Sequence, residues 1–357
     1  QNVGKTSRDT CGACHFYGGG GNGVKHGDMD NSLAVPEHEL DVHMDAVGED
    51  FTCATCHKHI EHDIAGSRYA PEAAHTEDYH VHRKAFQEED NAHCRACHGN
   101  RPHRKEEKQR LNGHAKKIAC QTCHIPRIAR GGVPTRMSWD WSTAGKLDEQ
   151  GHPITEHVDG NLVYSSKRGT FTYGEDIKPE YIWFNGEVRY QLLNEPVQLN
   201  EDGYVEINSF GGSPDDGKSR IWPVKVFRGV QPYDPELGTM VVPHTAGLNE
   251  DAYWKSFDWK KSITAGMLSA GQPFSGKVDF IKTQMSWPIN HMVAPAEDAV
   301  GCDDCHSKNG RLKDIEGIYI PSRDADPKLD KIGWLIALLT LVGVLAHGAG
   351  RVVSHYW

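Results

Sequence analysis

Ten cysteines occur in this chain of 357 residues, and all ten fall into five Cys-x-x-Cys pairs: Cys11/Cys14, Cys53/Cys56, Cys94/Cys97, Cys120/Cys123 and Cys302/Cys305. A histidine follows each pair at once, giving His15, His57, His98, His124 and His306. With 22 histidines in the chain, chance placement after all five pairs is on the order of one in a million. Cys-x-x-Cys-His is the attachment signature of c-type haem. Two thiols three positions apart can meet the two vinyl edges of one porphyrin, and the next residue sets an imidazole under the iron.

Zinc knuckles, thioredoxin-like dithiols and structural disulfides compete with this reading. Zinc sites pair their Cys-x-x-Cys units at short separation, whereas successive pairs here begin 42, 41, 26 and 182 residues apart. No cysteine is left over for a disulfide. The fifteen motif residues are therefore expected to hold five covalent haem c groups. Thioether-bound haem is assembled outside the cytoplasm, so a periplasmic or extracellular location follows. No signal peptide is visible at Gln1, and it is expected to have been removed or to lie upstream.

Val, Ile, Leu and Phe number 70, of which 59 lie in the first 330 residues. Aliphatic packing alone leaves order in doubt at that level, and five flat apolar macrocycles make up the shortfall. The net charge of −10, to which haem propionates would add, argues against nucleic acid as a partner.

Histidines far exceed the five proximal positions. The surplus suits bis-histidine iron, which relays electrons and leaves no open position for substrate. His43 lies ten residues before Cys53, in a helix-like run from Glu37 to Val47, and His291 lies eleven before Cys302. His62 and His103 each follow a haem motif by a few residues, and His114 precedes Cys120 by six. These five are the first candidates for distal ligands, with His26 and His244 in reserve; His75, His80, His82 and His93 are weaker. Met29, Met44 and Met292 are alternative axial donors that the abundance of histidine disfavours.

The expected architecture is a multihaem cytochrome c, mainly α, with much irregular structure around stacked haems. Residues 1–126 carry four motifs, joined by charged helical segments over Thr76–Asp90 and Arg104–Ala119. Residues 127–300 carry none, and hold seven of the nine tryptophans. Asn185-Gly186, Asp159-Gly160 and Asp202-Gly203 each sit between short β-prone runs, the pattern of hairpins. One helix is expected from Glu250 to Ala270, with Asn249 as N-cap and Gly271 as its stop. This region reads as a β-rich cover that returns the chain to the fifth haem site and linker, residues 301–330. Residues 331–357 read as an anchor. Ile332–Gly350 contains no charged side chain if His347 is neutral, and nineteen residues just span a hydrocarbon layer of ~30 Å. Haem attachment keeps the bulk of the chain outside, so a cytoplasmic tail from Arg351 agrees with the positive-inside rule.

The segments Cys11-Gly-Ala-Cys-His-Phe-Tyr-Gly-Gly-Gly-Gly, Val24-Lys25-His26-Gly27-Asp28, Cys120-Gln-Thr-Cys-His-Ile-Pro, Ser138-Trp139-Asp140-Trp141-Ser142 and Trp287-Pro-Ile-Asn-His-Met-Val-Ala-Pro resemble the octahaem tetrathionate reductase family of multihaem c-type cytochromes. The resemblance runs from about residue 1 to residue 320 and includes the order of four clustered haems, a long haem-free stretch and a late haem. It implies that this chain corresponds to the last five of eight haems, with up to three more expected on a part preceding Gln1 or on a separate polypeptide. In the family one of those three is catalytic and has lysine as its distal ligand, which makes Lys25 the candidate here. Asn22 stands where the resemblance leads one to expect aspartate. The membrane anchor is a further departure.

Two functions follow. In the first, electrons enter from a quinol-linked or b-type cytochrome subunit in the membrane, or from other redox proteins, and pass through bis-histidine haems. They then reduce a small oxyanion or N/S compound (tetrathionate, nitrite or hydroxylamine) at a lysine-ligated haem. In the second, the chain is a pure electron-transfer subunit of a membrane quinol-linked complex. A structural or sensory module is disfavoured by the number of haems.

Overall fold

The computed structural model describes residues 6–57, 59–60, 63–64 and 93–356. His62 and the helix expected over Thr76–Asp90 lie outside the described residues. The chain divides into two compact units, Gln1–Val300 and Gly301–Trp357.

In the first unit the haem motifs lie on short helices: α1 (Arg8–His15), α2 (Cys53–Cys56), α3 (Cys94–His98) and, after α4 (Leu111–His114), α5 (Cys120–His124). One helical turn brings positions i and i+3 to the same face, so each motif presents its two thiols together. The caps are local: the Ser7 hydroxyl accepts from Thr10 N–H, and the His93 ring accepts from Ala96 N–H. Between motifs the chain runs mostly in turns. Glu37–Val47 is a series of turns, and Arg104–Ala119 contains only a 3-10 turn at Glu106–Lys108 and the four-residue α4.

Helix accounts for only 28% of the described residues, so the mainly α expectation is corrected. Helices of a turn or two are not stable by themselves, and these segments have no apolar stripe to bury. Their work is to place two thiols and an imidazole.

The haem-free stretch builds the sheet. Its strands follow β1 (His59–Ile60) and β2 (Asp63–Ile64), which pair with each other. They are β3 (Thr135–Asp140), β4 (Thr155–Val158), β5 (Asn161–Ser165), β6 (Gly169–Gly174), β7 (Glu180–Phe184), β8 (Val188–Tyr190), β9 (Val205–Glu206), β10 (Asn208–Phe210), β11 (Arg220–Asp234), β12 (Thr239–Met240) and β13 (Asp279–Pro288). The order β4-β5-β6-β3-β11-β13-β9 forms one nine-stranded sheet, with β7 and β12 also paired to β11. The long β11 is its axis: antiparallel to β13 from Val224–Pro288 to Tyr233–Asp279, and parallel to β3 at Arg228–Ser138.

Asp159-Gly160 closes the β4–β5 hairpin, with both residues at positive φ (49° and 79°), as a type I′ turn requires. Asn185-Gly186 does not close a hairpin. Strand β7 pairs with β11, and β8 pairs with β10. Phe184 explains the divergence: it is fully buried against Phe210 and Trp222, and that burial draws β7 onto the central strand. The helix expected over Glu250–Ala270 is broken into α6 (Tyr253–Ser256) and α7 (Trp259–Ser269). Phe257, at φ 52°, turns the chain between them, and Asp258 caps α7 by accepting from Lys261 N–H.

Backbone bonds tie the haem-bearing stretch to this sheet. Ala119 N–H donates to Ile221 O, Ile221 N–H to Lys117 O, and the Thr122 hydroxyl to Ile221 O at 2.8 Å. Lys225, 1% exposed on β11, sends its Nζ to the carbonyls of Val24 (2.8 Å) and Lys25 (3.0 Å) and to Thr135 Oγ1. Burial pulls its pKa down to about 7, although Asp28 favours the charge.

The second unit contains α8 (Cys302–His306), with the fifth motif, then α9 (Pro321–Asp324) and α10 (Pro327–Tyr356). The Arg323 guanidinium ties the loop before α9 by donating to the carbonyls of Leu312, Ile315 and Ile318. Helix α10 has 30 residues and contains an 18-residue window of mean hydropathy 2.0, long and apolar enough to cross a membrane.

Two measurements test this packing. A Cβ at Gly266 would lie 1.9 Å from the Val242 carbonyl oxygen, so Gly266→Ala should lose about 1–3 kcal/mol, read as a lower Tm. Lys225 gives a pH dependence. Between about 7 and its ordinary 10.5, the unfolded chain binds a proton there that the folded chain has released. Stability therefore rises with pH across that window, and Lys225→Met should flatten the slope in denaturation series at stepped pH.

Candidate functional site

None of the ten cysteines is joined in a disulfide. Motifs adjacent in sequence are adjacent in space: the Cys11 and Cys53 thiols lie close enough to interact, as do those of Cys94 and Cys120, and Cys56 lies near enough to bear on Cys94. Among the described residues no group of three or more His, Cys, Asp or Glu converges as a metal-ion site, which a zinc knuckle would need.

In three of the five motifs, those on α1, α3 and α8, the two thiols differ in exposure. In α1 and α3 the first cysteine, Cys11 or Cys94, is half-buried and makes the contact with the neighbouring motif, whereas the second, Cys14 or Cys97, is exposed. In α5 both are half-buried, and the Cys123 carbonyl accepts from Val300 N–H at 2.9 Å. In α8 the order is reversed, with Cys302 exposed and Cys305 half-buried. An exposed thiol remains open to a vinyl group, so the attachment roles of Cys14 and Cys97 are sterically compatible with these positions.

Three motif histidines each face a histidine from elsewhere in the first unit. His57 and His291 have ring centroids 6.1 Å apart, His98 and His43 6.0 Å, and His124 and His103 6.2 Å. The angles between ring planes differ widely, at 37°, 68° and 13°. A near-constant distance with a free angle is what coordination to a shared atom imposes. Two metal–nitrogen bonds of about 2 Å, plus roughly 1.1 Å from each nitrogen to its ring centre, give about 6.2 Å. The donor set and its spacing therefore fit haem c.

Two of these partner histidines, His291 and His103, are held on the Nδ1 side, and the third, His43, has a carboxylate nearby. Asp28 Oδ2 accepts from His291 Nδ1 at 3.2 Å and from the backbone N–H groups of Asn290 (2.8 Å) and His291 (3.0 Å). Asn112 Oδ1 lies 3.3 Å from His103 Nδ1; its orientation is fixed because Oδ1 accepts from His103 N–H while Nδ2 donates to His103 O. Asp41 Oδ1 accepts from the N–H of His43 and Met44 and stands 3.9 Å from His43 Nδ1. A proton held on Nδ1 leaves the Nε2 lone pair for a metal.

The segment 289–294 joins these parts. Ile289 N–H bonds to Pro223 O at the sheet, and Asn290 and His291 bond to Asp28. Val293 donates to Asp41 Oδ2 at 3.1 Å and accepts from Val42 N–H, while Ala294 N–H bonds to His124 O. Met292, fully buried between these ties, has φ 62°, a conformation that costs a non-glycine residue roughly 1–2 kcal/mol. Such strain persists where the surroundings over-determine the backbone.

Burial opposes ionisation of Asp28, but the His291 imidazole, with His26 and the Asn290 N–H, outweighs it and holds the carboxyl below the usual carboxylate range. Lys25 lies beside this group. Its Nζ sits 4.8 Å from the centroid of Trp287, whose other neighbour is His26 at 5.2 Å. The glycine run lets the lysine stem approach: a Cβ on Gly18 would come within 3.2 Å of Lys25 Cδ, and Gly19 has φ 81°. Asn22 is turned to Asn31, whose backbone N–H it accepts at 2.9 Å.

The remaining candidates are not brought to these pairs. His114 is exposed at the end of α4, and His244 Nε2 is engaged with Asn249 Oδ1 at 3.0 Å beside α7. His15 and His306 close their motif helices α1 and α8. Sequence reasoning missed Asp28, Asp41 and Asn112 as supports. Asp41, two residues before His43, carries a local signal; Asp28 is 263 positions from the histidine it holds.

Comparison with known proteins agrees with this geometry. Residues 136–309 match the family model "Cytochrome c bacterial". A search of curated proteins returned no match. Among solved structures, the chain is similar to an octahaem cytochrome c from Shewanella oneidensis, with 35% identity and a TM-score of 0.72 over 92% of this chain and 69% of that one. This likeness extends across both the motif-bearing stretch and the sheet, and with the five attachment motifs it leads to one conclusion: the chain belongs to the multihaem c-type cytochromes of bacteria.

Proposed function

We propose that this protein carries five haem c groups and passes electrons through them to a reducing site beside Lys25. The observation that carries the reading is the set of three histidine pairs at 6.0–6.2 Å, each joining a motif histidine to one from another segment. His57 with His291, His98 with His43 and His124 with His103 would be the axial pairs of the second, third and fourth haems. Bound there, haem c supplies one-electron storage and transfer. The chain's own residues do the positioning. The cysteine contacts set successive attachment points side by side in the order of the sequence, while Asp28, Asp41 and Asn112 aim the distal rings.

Lys25 is the proposed ligand of a catalytic haem carried by a further part of the assembly. The similar protein is octahaem, and this chain spans 69% of its length. A small oxyanion or N/S compound such as tetrathionate, nitrite or hydroxylamine is the proposed substrate, with Lys25 and His26 near enough to steer negative charge and protons. Helix α10 is the proposed membrane anchor, placing the bulk of the protein in the periplasm beside a quinol-linked or b-type cytochrome partner. A second reading, electron transfer without a substrate site, draws on Asn22, whose side chain is committed to Asn31.

Intact mass and a pyridine-haemochrome assay should return one haem for each of the five motifs. His291→Ala should keep that count and convert one low-spin signal to high-spin in electron paramagnetic resonance; unchanged low-spin iron would remove the pairing. Lys25→Ala should abolish dye-driven reduction of the three substrates in the full assembly while leaving haem reduction by the dye intact. Undiminished turnover would favour the second reading.

A further inference from the structure

The three histidines that face motif histidines are supported differently, and the difference has an electrical sense. Asp28 is 1% exposed. Its Oδ2 takes three N–H groups, including the His291 ring, whereas its Oδ1 is buried with no hydrogen-bond partner among the described residues. The charge on that carboxylate is therefore only partly answered, and it bears on the imidazole directly. At His103 the same Nδ1 position faces the amide oxygen of Asn112, which carries no net charge. At His43 the carboxylate of Asp41 stands 3.9 Å from Nδ1, beyond hydrogen-bond length, and is occupied by the N–H groups of His43, Met44 and Val293.

A carboxylate bonded to Nδ1–H pushes electron density toward Nε2 and strengthens the ring as a donor. An anion close to an iron centre also favours its more positive, oxidised state. We propose that Asp28 is a positioning residue that makes the haem between His57 and His291 the lowest in midpoint potential of the three paired haems, with the Asn112-supported haem the highest. This rests on the axial pairing proposed above. Three neighbouring centres would then differ in potential through side chains that never touch iron. The haem of the second motif would be the last of the three to accept an electron and the first to give one up.

The experiment uses the full haem-loaded chain, titrated with a redox mediator and followed by both visible absorption and electron paramagnetic resonance. Asp28→Asn retains an oxygen acceptor for His291 but removes the charge. It should raise one midpoint potential so that, at a fixed applied potential, the oxidised-to-reduced ratio of that haem falls on the order of ten-fold, which is about 59 mV for a one-electron couple. Asp28→Glu should restore most of the shift. The converse variant, Asn112→Asp, should lower the potential of a different haem, and it gives an answer even where Asp28→Asn fails to assemble. The haem that responds to Asp28→Asn must be the one that becomes high-spin in His291→Ala. If His291→Ala leaves every haem low-spin, the pairing itself is wrong. If it gives one high-spin haem but neither Asp28→Asn nor Asn112→Asp moves a potential, the pairing stands and the role given to Asp28 is overturned.

Discussion

Two buried carboxylates hold the centre of this molecule together. Asp28 and Asp41 arise in the first fifth of the chain, yet they take their hydrogen bonds from backbone N–H groups of residues 290, 291 and 293. Those groups could not face an apolar interior unpaired without a cost of about 1–3 kcal/mol each. The segment can therefore leave the end of β13, turn sharply through Met292 and lie against the early part of the chain only because the two acids are there. His291, and with it the ring that faces His57, is placed by that arrangement.

The sheet gives the acids something rigid to act against. Strand β13 is paired along nearly its whole length with β11, so Pro288 is a fixed point from which 289–294 departs. From β11 itself, Lys225 reaches the carbonyls of Val24 and Lys25, which fixes the stretch that ends in Asp28. The haem-free segment is thus a frame for the ligand-bearing turns. This also accounts for the shortness of the motif helices. Each needs to persist for one turn, because neighbouring backbone and side-chain bonds do the holding that a longer helix would do by packing.

The attachment chemistry was legible in the sequence because it depends on spacing within five residues. The unequal exposure of the thiols on α1, α3 and α8 was not, since it depends on packing outside the motif. His43, His103 and His291 were singled out by position near motifs, and the structure brings each against a motif histidine; His114 had similar local credentials and lies elsewhere, as does the reserve candidate His244. What separates the two groups is long-range: Asp28 for His291, segment 289–294 for the setting of His43, and the amide of Asn112 for His103. No local pattern reports a bond between positions 28 and 291. The same limit appears in the fold. Asp159-Gly160 made its hairpin because two positive-φ residues dictate the turn, whereas Asn185-Gly186 was overruled by the burial of Phe184 on a strand 36 or more positions later. The mainly α expectation failed because the linker Arg104–Ala119 holds little helix and the haem-free stretch is built mostly as sheet.

The unequal angles within the histidine pairs reach into magnetism. Under the proposed pairing, near-parallel rings at His103 and His124 (13°) would lift the degeneracy of the iron d orbitals that share their unpaired electron, while the steep crossing of His43 and His98 (68°) would leave those orbitals nearly equal in energy. The first arrangement gives a rhombic spectrum and the second a strongly axial one. Haems with identical covalent chemistry would thus carry separate spectral labels, written by nothing more than the rotation of a side chain about its bond.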